Sequence, residues 1–318
     1  MSRRPAARWL GLGVWAALSG AGASALAAPP AAPAVPAAAA TATAATATAR
    51  IAALRAEYTA ARGDLQASVF GEPLLLTVLD QANRREAEVL ALAPRALADV
   101  AAVLRSPAGV CSVLVLHLNV RSCQVDADNP NGLVLAIGPM RTGLPGLGTT
   151  MRMTLQPGED TAGYFKARLM AADGPLGTHD LQVTTEAIAI DAGNTFLHVH
   201  YSQVGSNASA LAARLYLATA GRAKAGFSVV GRDAAGRPVL VDGERAALER
   251  NTVRHYLALL AATGAGSRSG PPAMRLDASL RAWHALTERH AHQLHELDLA
   301  EYLHEKTGTA SSAVPAGR

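Results

Sequence analysis

The chain has 318 residues, 50% hydrophobic, 4% aromatic and 17% charged, so it can bury a large core but must build it mainly from small aliphatic side chains. The formal charge is +4, and setting aside Arg3, Arg4 and Arg8 of an expected leader leaves 26 cations against 25 anions. A nearly neutral surface carries no electrostatic footprint for nucleic acid, and no such partner is expected.

Residues 1–27 read as a signal peptide: a charged start, an apolar run from Trp9 to Leu18, and small residues ending Ala25-Leu26-Ala27. The run is short of the ~20 residues that span a bilayer. A periplasmic or secreted protein is therefore expected, with no stable membrane insertion after cleavage. Residues 28–50 are almost only Ala, Pro and Thr and read as a flexible linker. A leading helix is expected over 51–68, with Ile51, Leu54, Tyr58, Ala61 and Leu65 at helical spacing.

The main domain is expected over 69–263. Strands Phe70–Leu79 and Ala87–Ala93 precede a helix, Ala96–Leu104, opened by Pro94. Leu114, Leu116, Leu118 and Val120 alternate with Val115, His117 and Asn119, the period of a strand with one buried face. Further strands are expected at 133–137, 151–155, 164–171, 179–190 and 195–203, separated by turn residues such as Asn129-Pro130-Asn131-Gly132 and Asp191-Ala192-Gly193-Asn194. Short connections make antiparallel pairing the default. Beyond these come a helix at 208–220, a hairpin pairing 227–230 with 238–241, and a strong helix at 246–262. A linker at 264–275, a C-terminal helix at 276–305 and a disordered tail at 306–318 complete the chain. Strands followed by helices give an α+β class. No βαβ alternation, G-x-G-x-x-G or Walker A lysine is present; Gly143, Gly146 and Gly148 lie in a loop without a following helix, and no cofactor is expected.

Several stretches are similar to a family of uncharacterised exported bacterial proteins. They are Val115–Val120 with Cys123, Ala172–Thr178, Phe196–Ser202, Tyr216–Arg222, Lys224–Phe227, Glu249–Thr252 and Gln293–Leu297. The element order resembles the START-like helix-grip fold over about residues 69–305. That resemblance implies a curved antiparallel sheet covered by helices around an apolar cavity, of the kind related proteins use for lipids, sterols or polyketides. It carries over no catalytic residue.

Cys111 and Cys123 are the only cysteines, and in an exported chain an even pair reads as a disulfide sooner than as free thiols or a redox pair. The cavity-lining candidates are Leu114, Leu116, Leu118, Leu197, Val199 and Tyr201. His198 and His200 share one face of a strand and are weak metal candidates, on the side opposite Leu197, Val199 and Tyr201. Glu249, Arg250, Asn251 and Arg254 suit either an anionic head group or, as charge runs usually do, a solvated surface. The leading functional expectation is binding of a lipid or other hydrophobic small molecule without catalysis. Its alternatives are a metal-assisted or acid–base enzyme using His198 and His200, and a structural envelope protein with a filled core.

Overall fold

The computed structural model describes residues 37–81, 84–138, 149–206, 224–264 and 270–311. The expected signal peptide, the loop glycines 143, 146 and 148, and the expected helix at 208–220 lie outside the described residues. The chain forms two units, Met1–Ala42 and Thr43–Arg318. The first contributes only its last six residues to the description, and everything below concerns the second.

A long helix α1 (Ala37–Gln66) comes first, so residues 37–50 extend the leading helix instead of forming a flexible linker. Alanine, the best helix former, outweighs threonine there. Strands β1 (Leu74–Gln81) and β2 (Arg84–Ala93) form a hairpin. Two short helices follow, α2 (Leu97–Leu104) and α3 (Pro107–Leu114). Then β3 (Val120–Val125), β4 (Gly132–Ile137), β5 (Thr149–Asp160), β6 (Tyr164–Asp173), β7 (His179–Ala189) and β8 (Thr195–Val204) form a meander. The eight strands make one sheet in the order β1-β2-β8-β7-β6-β5-β4-β3, antiparallel at every pairing. A small hairpin of β9 (Val229–Arg232) and β10 (Pro238–Leu240) stands apart from it. The remaining described helices are α4 (Gly243–Ala262), α5 (Pro272–Glu288), α6 (Ala291–Leu294) and α7 (Leu299–Ser311).

Four further expectations change. The strand expected at 114–120 is the end of α3 and a turn: Ser106 accepts a hydrogen bond from the Gly109 N–H, Pro107 opens the helix, and Val115 N–H closes on the Cys111 carbonyl. Leu116, His117 and Val120 then donate to the carbonyls of residues 113, 114 and 117, a tight winding that imitates two-residue alternation. The single C-terminal helix is three, and α7 runs to Ser311 where a disordered tail was expected. The last break is marked by Asp298, whose N–H donates to the Glu301 carboxylate, one half of a capping box, and whose carbonyl accepts the first helical bond from Tyr302 N–H. The linker expected at 264–275 is also shorter, since α5 begins at Pro272.

Side chains alternate across the sheet and separate two cores. The inner face carries Leu74, Leu76, Ala87, Ala91, Leu133, Leu135, Met151, Met153, Leu155, Phe165, Ala167, Leu169, Ala187 and Leu197. These join Val253, Leu257 and Leu260 of α4 and Trp283 of α5 in one cluster. Outward, Tyr164, Ile188 and Phe196 pack against Leu54, Ala61 and Leu65 of α1. Cys111 on α3 and Cys123 on β3 form a disulfide that ties the helix to the edge strand. A sheet clasped by helices on its inner face is the helix-grip arrangement.

Candidate functional site

At the centre of the inner face lie five side chains that are only half-buried: Val89 on β2, Val183 and Thr185 on β7, and Val199 and Tyr201 on β8. They are contiguous, because Val89 and Thr185 flank Val199 and Val183 pairs with Tyr201. Their ladder neighbours Leu76, Ala87, Leu169, Ala167, Ala187 and Leu197 are all at most 9% exposed. Accessible surface beside these buried neighbours, continuous on its other side with the partly buried Val78, Leu181 and Gln203, means that the sheet is not tightly covered at this point. The Tyr201 hydroxyl has no hydrogen-bond partner among the described residues, and burial pushes its pKa above the usual phenol value.

Helix α4 crosses the same face, anchored where the Tyr256 hydroxyl donates to the Leu92 carbonyl (2.9 Å). Most of its surface is buried, but Leu248, Asn251 and Thr252 are half-buried and His255 is exposed, one stripe at three- and four-residue spacing. The His255 ring stacks on that of His117 at 4.6 Å between centroids. His117 is 4% exposed and accepts from the Asn119 N–H at Nδ1. Burial, with Arg254 nearby, lowers the His255 pKa to about 4. Burial, His255 and the cations Arg254 and Lys306 hold His117 well below its ordinary value. Both rings are therefore neutral at pH 7.

Glu249, Arg250 and Arg254 of α4 are buried and not on a solvated surface, although Glu249 does pair with the exposed Arg245 as the charge run suggested. Glu249 is fully buried and accepts hydrogen bonds from the Phe227 and Ser228 N–H groups, the Ser228 hydroxyl and Arg245. Arg250, 1% exposed, donates to the carbonyls of Lys224 and Ala225. Arg254 donates to the Leu294 carbonyl and to Glu296, which Lys224 also contacts. All three tie neighbouring segments to α4, because a buried charge is tolerated only when paired and hydrogen-bonded.

Among the sequence candidates, Val199 and Tyr201 belong to the half-buried patch and Leu197 to its buried rim. Leu114, Leu116 and Leu118 are not strand residues facing it: they lie at the end of α3 and in the following turn, where Tyr302 donates to the Leu116 carbonyl. His198 and His200 point outward. His198 Nδ1 lies 3.0 Å from Glu57 and 3.4 Å from Arg50, both on α1. Among the described residues, no three His, Cys, Asp or Glu side chains are placed to hold a metal ion. Around His198, Arg50 donates to Glu186, as does Tyr164. Burial alone would raise the Glu186 pKa, but these donors bring it to about 2. This outer network fastens α1 to the sheet. The sequence reading missed His117 and His255, which lie 138 positions apart and meet only through tertiary packing; the one local signal was the spacing of Leu248, Asn251, Thr252 and His255 on a helix.

Among the described residues no single helix is long and apolar enough to cross a membrane; α2 and α3 pass such a test only jointly, as a pair bent by 99°. No protein-family model and no curated protein matches the chain. Similar solved structures include a START superfamily protein from Mycobacterium smegmatis, 12% identical over 42% of this chain and 91% of its own, with a TM-score of 0.29. The Zhui aromatase/cyclase from Streptomyces sp. R1128 is 17% identical over 57% of this chain and 91% of its own, at 0.32. A truncated norcoclaurine synthase from Thalictrum flavum is 13% identical over 43% and 87%, at 0.30. By its own strand order and the helix laid across the inner face, the chain has the START-like helix-grip fold.

Proposed function

We propose that the half-buried patch on the sheet and the accessible stripe of α4 wall one hollow, and that the protein binds a neutral, largely apolar small molecule there without making or breaking a bond. The observation that carries this reading is the contiguous half-buried run of Val89, Val183, Thr185, Val199 and Tyr201 on a sheet face whose Ala87, Ala187 and Leu197 are buried. Valines supply apolar wall, while Thr185, Tyr201, Asn251, Thr252 and the neutral His255 offer a few uncharged hydrogen-bonding groups, the usual make-up of a small-molecule site. The charges beside these walls, Arg85 next to Tyr201 and Glu244 one turn before Leu248, pair with each other at 2.6 Å, so a charged ligand would have to break that pair or bear its own desolvation cost. With a pKa of about 4, His255 serves better as a hydrogen-bond partner than as a proton store at neutral pH. Export through the leader at 1–27 to a periplasmic or secreted location belongs to the proposal, and the Cys111–Cys123 disulfide suits an oxidising compartment.

Native mass spectrometry of the protein purified from the exported fraction tests this. Retention of an uncharged apolar molecule, lost in Val199→Trp, is the expected result. A protein that emerges empty and takes up no neutral lipid from an added extract contradicts it.

A further inference from the structure

A second apolar depression lies away from the hollow, between α4 and α5. It has a volume of about 390 Å³ and is lined by Leu260, Ala261 and Gly264 of the α4 end, by a stripe of α5, and by Arg95 and Arg289. That size lies within the range of small-molecule sites, ~300–1,000 Å³. On α5, Ala278, Ala282, Ala285 and Arg289 recur every three or four residues, so the floor is one helical stripe. At 1.5 Å per residue it runs for roughly 16 Å. The trough is an open, mostly apolar depression.

Its two arginines differ. Arg289 is paired with Glu72, whose carboxylate His290 also contacts at 3.0 Å. Arg95 has no carboxylate partner among the described residues. It donates through one terminal nitrogen to the Pro94 carbonyl (2.7 Å) and through the other to the Leu260 carbonyl (2.9 Å), and its buried Nε has no partner among the described residues. The second terminal nitrogen lies 3.9 Å from where a Cβ on Gly264 would stand, beside the trough. Each terminal nitrogen carries two hydrogens and uses one on a backbone carbonyl, so a guanidinium fork with spare donors sits beside the α4 wall of the trough.

We propose that this trough binds a free single-chain amphiphile with a carboxylate head, its chain along Ala278, Ala282, Ala285 and Leu286 and its head on Arg95. Charge complementarity selects this occupant: the only uncompensated charge in the described lining is a guanidinium, whose planar donors match a carboxylate. A neutral chain would gain the apolar contact alone.

Calorimetric titration of the full chain with sodium dodecanoate and, separately, with dodecanol provides the test. Dodecanoate is expected to bind the trough more tightly than dodecanol and to weaken about tenfold or more in Arg95→Gln, since a hydrogen bond to a charged group contributes ~1.5–3 kcal/mol and each 1.4 kcal/mol is tenfold. Ala282→Trp, which fills the floor, should abolish this binding. Val199→Trp, which fills the inner hollow, should leave it intact, so failure of the trough and failure of the hollow are read separately. Arg95→Lys keeps a charge near the Leu260 carbonyl and, with the unfolding midpoint of each variant, serves as the folding control. Equal affinity for dodecanoate and dodecanol, or dodecanoate binding unchanged in a folded Arg95→Gln, would overturn the proposal and leave Arg95 as a cap on the end of α4. Preference for an apolar peptide's terminal carboxylate over dodecanoate would overturn it in favour of a chain terminus.

Discussion

Lys306 shows how a single buried ionisable group is held. It is 5% exposed, and its ammonium donates to the carbonyls of His117 and Val120, both 2.7 Å away, while the Tyr302 ring lies beneath it. Burial, with Arg121 adding repulsion, lowers its pKa to about 7 against an ordinary 10.5. Between these values the unfolded chain binds the proton more tightly than the folded one, so stability rises as pH increases from about 7 toward 10.5. Each tenfold difference in proton affinity between the two states is worth ~1.4 kcal/mol. The unfolding midpoint should therefore climb by a few degrees between pH 7 and 9.5, and Lys306→Met should flatten that rise; an equal rise in the variant would count against this assignment. Nothing local in the sequence marks Lys306, which lies in what reads as a disordered tail. Its role depends on carbonyls left over by a turn 186 residues away.

At the scale of elements, two fastenings should be separable. The disulfide ties α3 to β3 by closing a loop of about a dozen residues, which in the chain-entropy model contributes ~3 kcal/mol. Replacing both cysteines by serine should lower the unfolding free energy by about that amount in denaturant titration, and an unchanged midpoint would deny the bond a stabilising role. On the other face, Leu54 is fully buried between α1 and the sheet, close to the Arg50–Glu186 pair. Leu54→Ala should cost ~2–5 kcal/mol and speed hydrogen exchange along α1 and β8 before the rest of the sheet. Uniform acceleration instead would mean that α1 is not a separate clasp.

The same scale explains what was legible in advance. Strands β4, β6, β7 and β8 follow period-two patterns bounded by Gly, Pro, Asn and Asp turns, and the structure places each within a few residues of expectation; β5, expected at 151–155 with a turn at Pro157-Gly158-Glu159-Asp160, instead runs through those residues to Asp160 with a bulge in its pairing with β6. The alternation at 114–120 was equally regular but belonged to a wound turn. Ser106 followed by Pro107 was the overlooked sign of a helix start, and Asp298 with Glu301 the overlooked restart near the C-terminus. The outward placement of His198 and His200 was readable from strand parity. The burial of Glu249, Arg250 and Arg254 was not, because their partners are mostly backbone groups of distant segments that composition does not identify.

For the whole molecule, the central contrast is between inner-face residues buried under the helices and a half-buried run across β2, β8 and β7. A core filled by its own side chains would bury Val199 as deeply as Leu197, and the two differ. The most direct measurement is the methyl NMR spectrum of the valines and alanines during titration with decanol, a neutral chain. Shifts should concentrate at Val89, Val183 and Val199, with the Ala278 and Ala282 methyls of the outer trough little changed. Valine signals that stay fixed while decanol binds elsewhere, or does not bind, would contradict a binding hollow at the centre of the sheet.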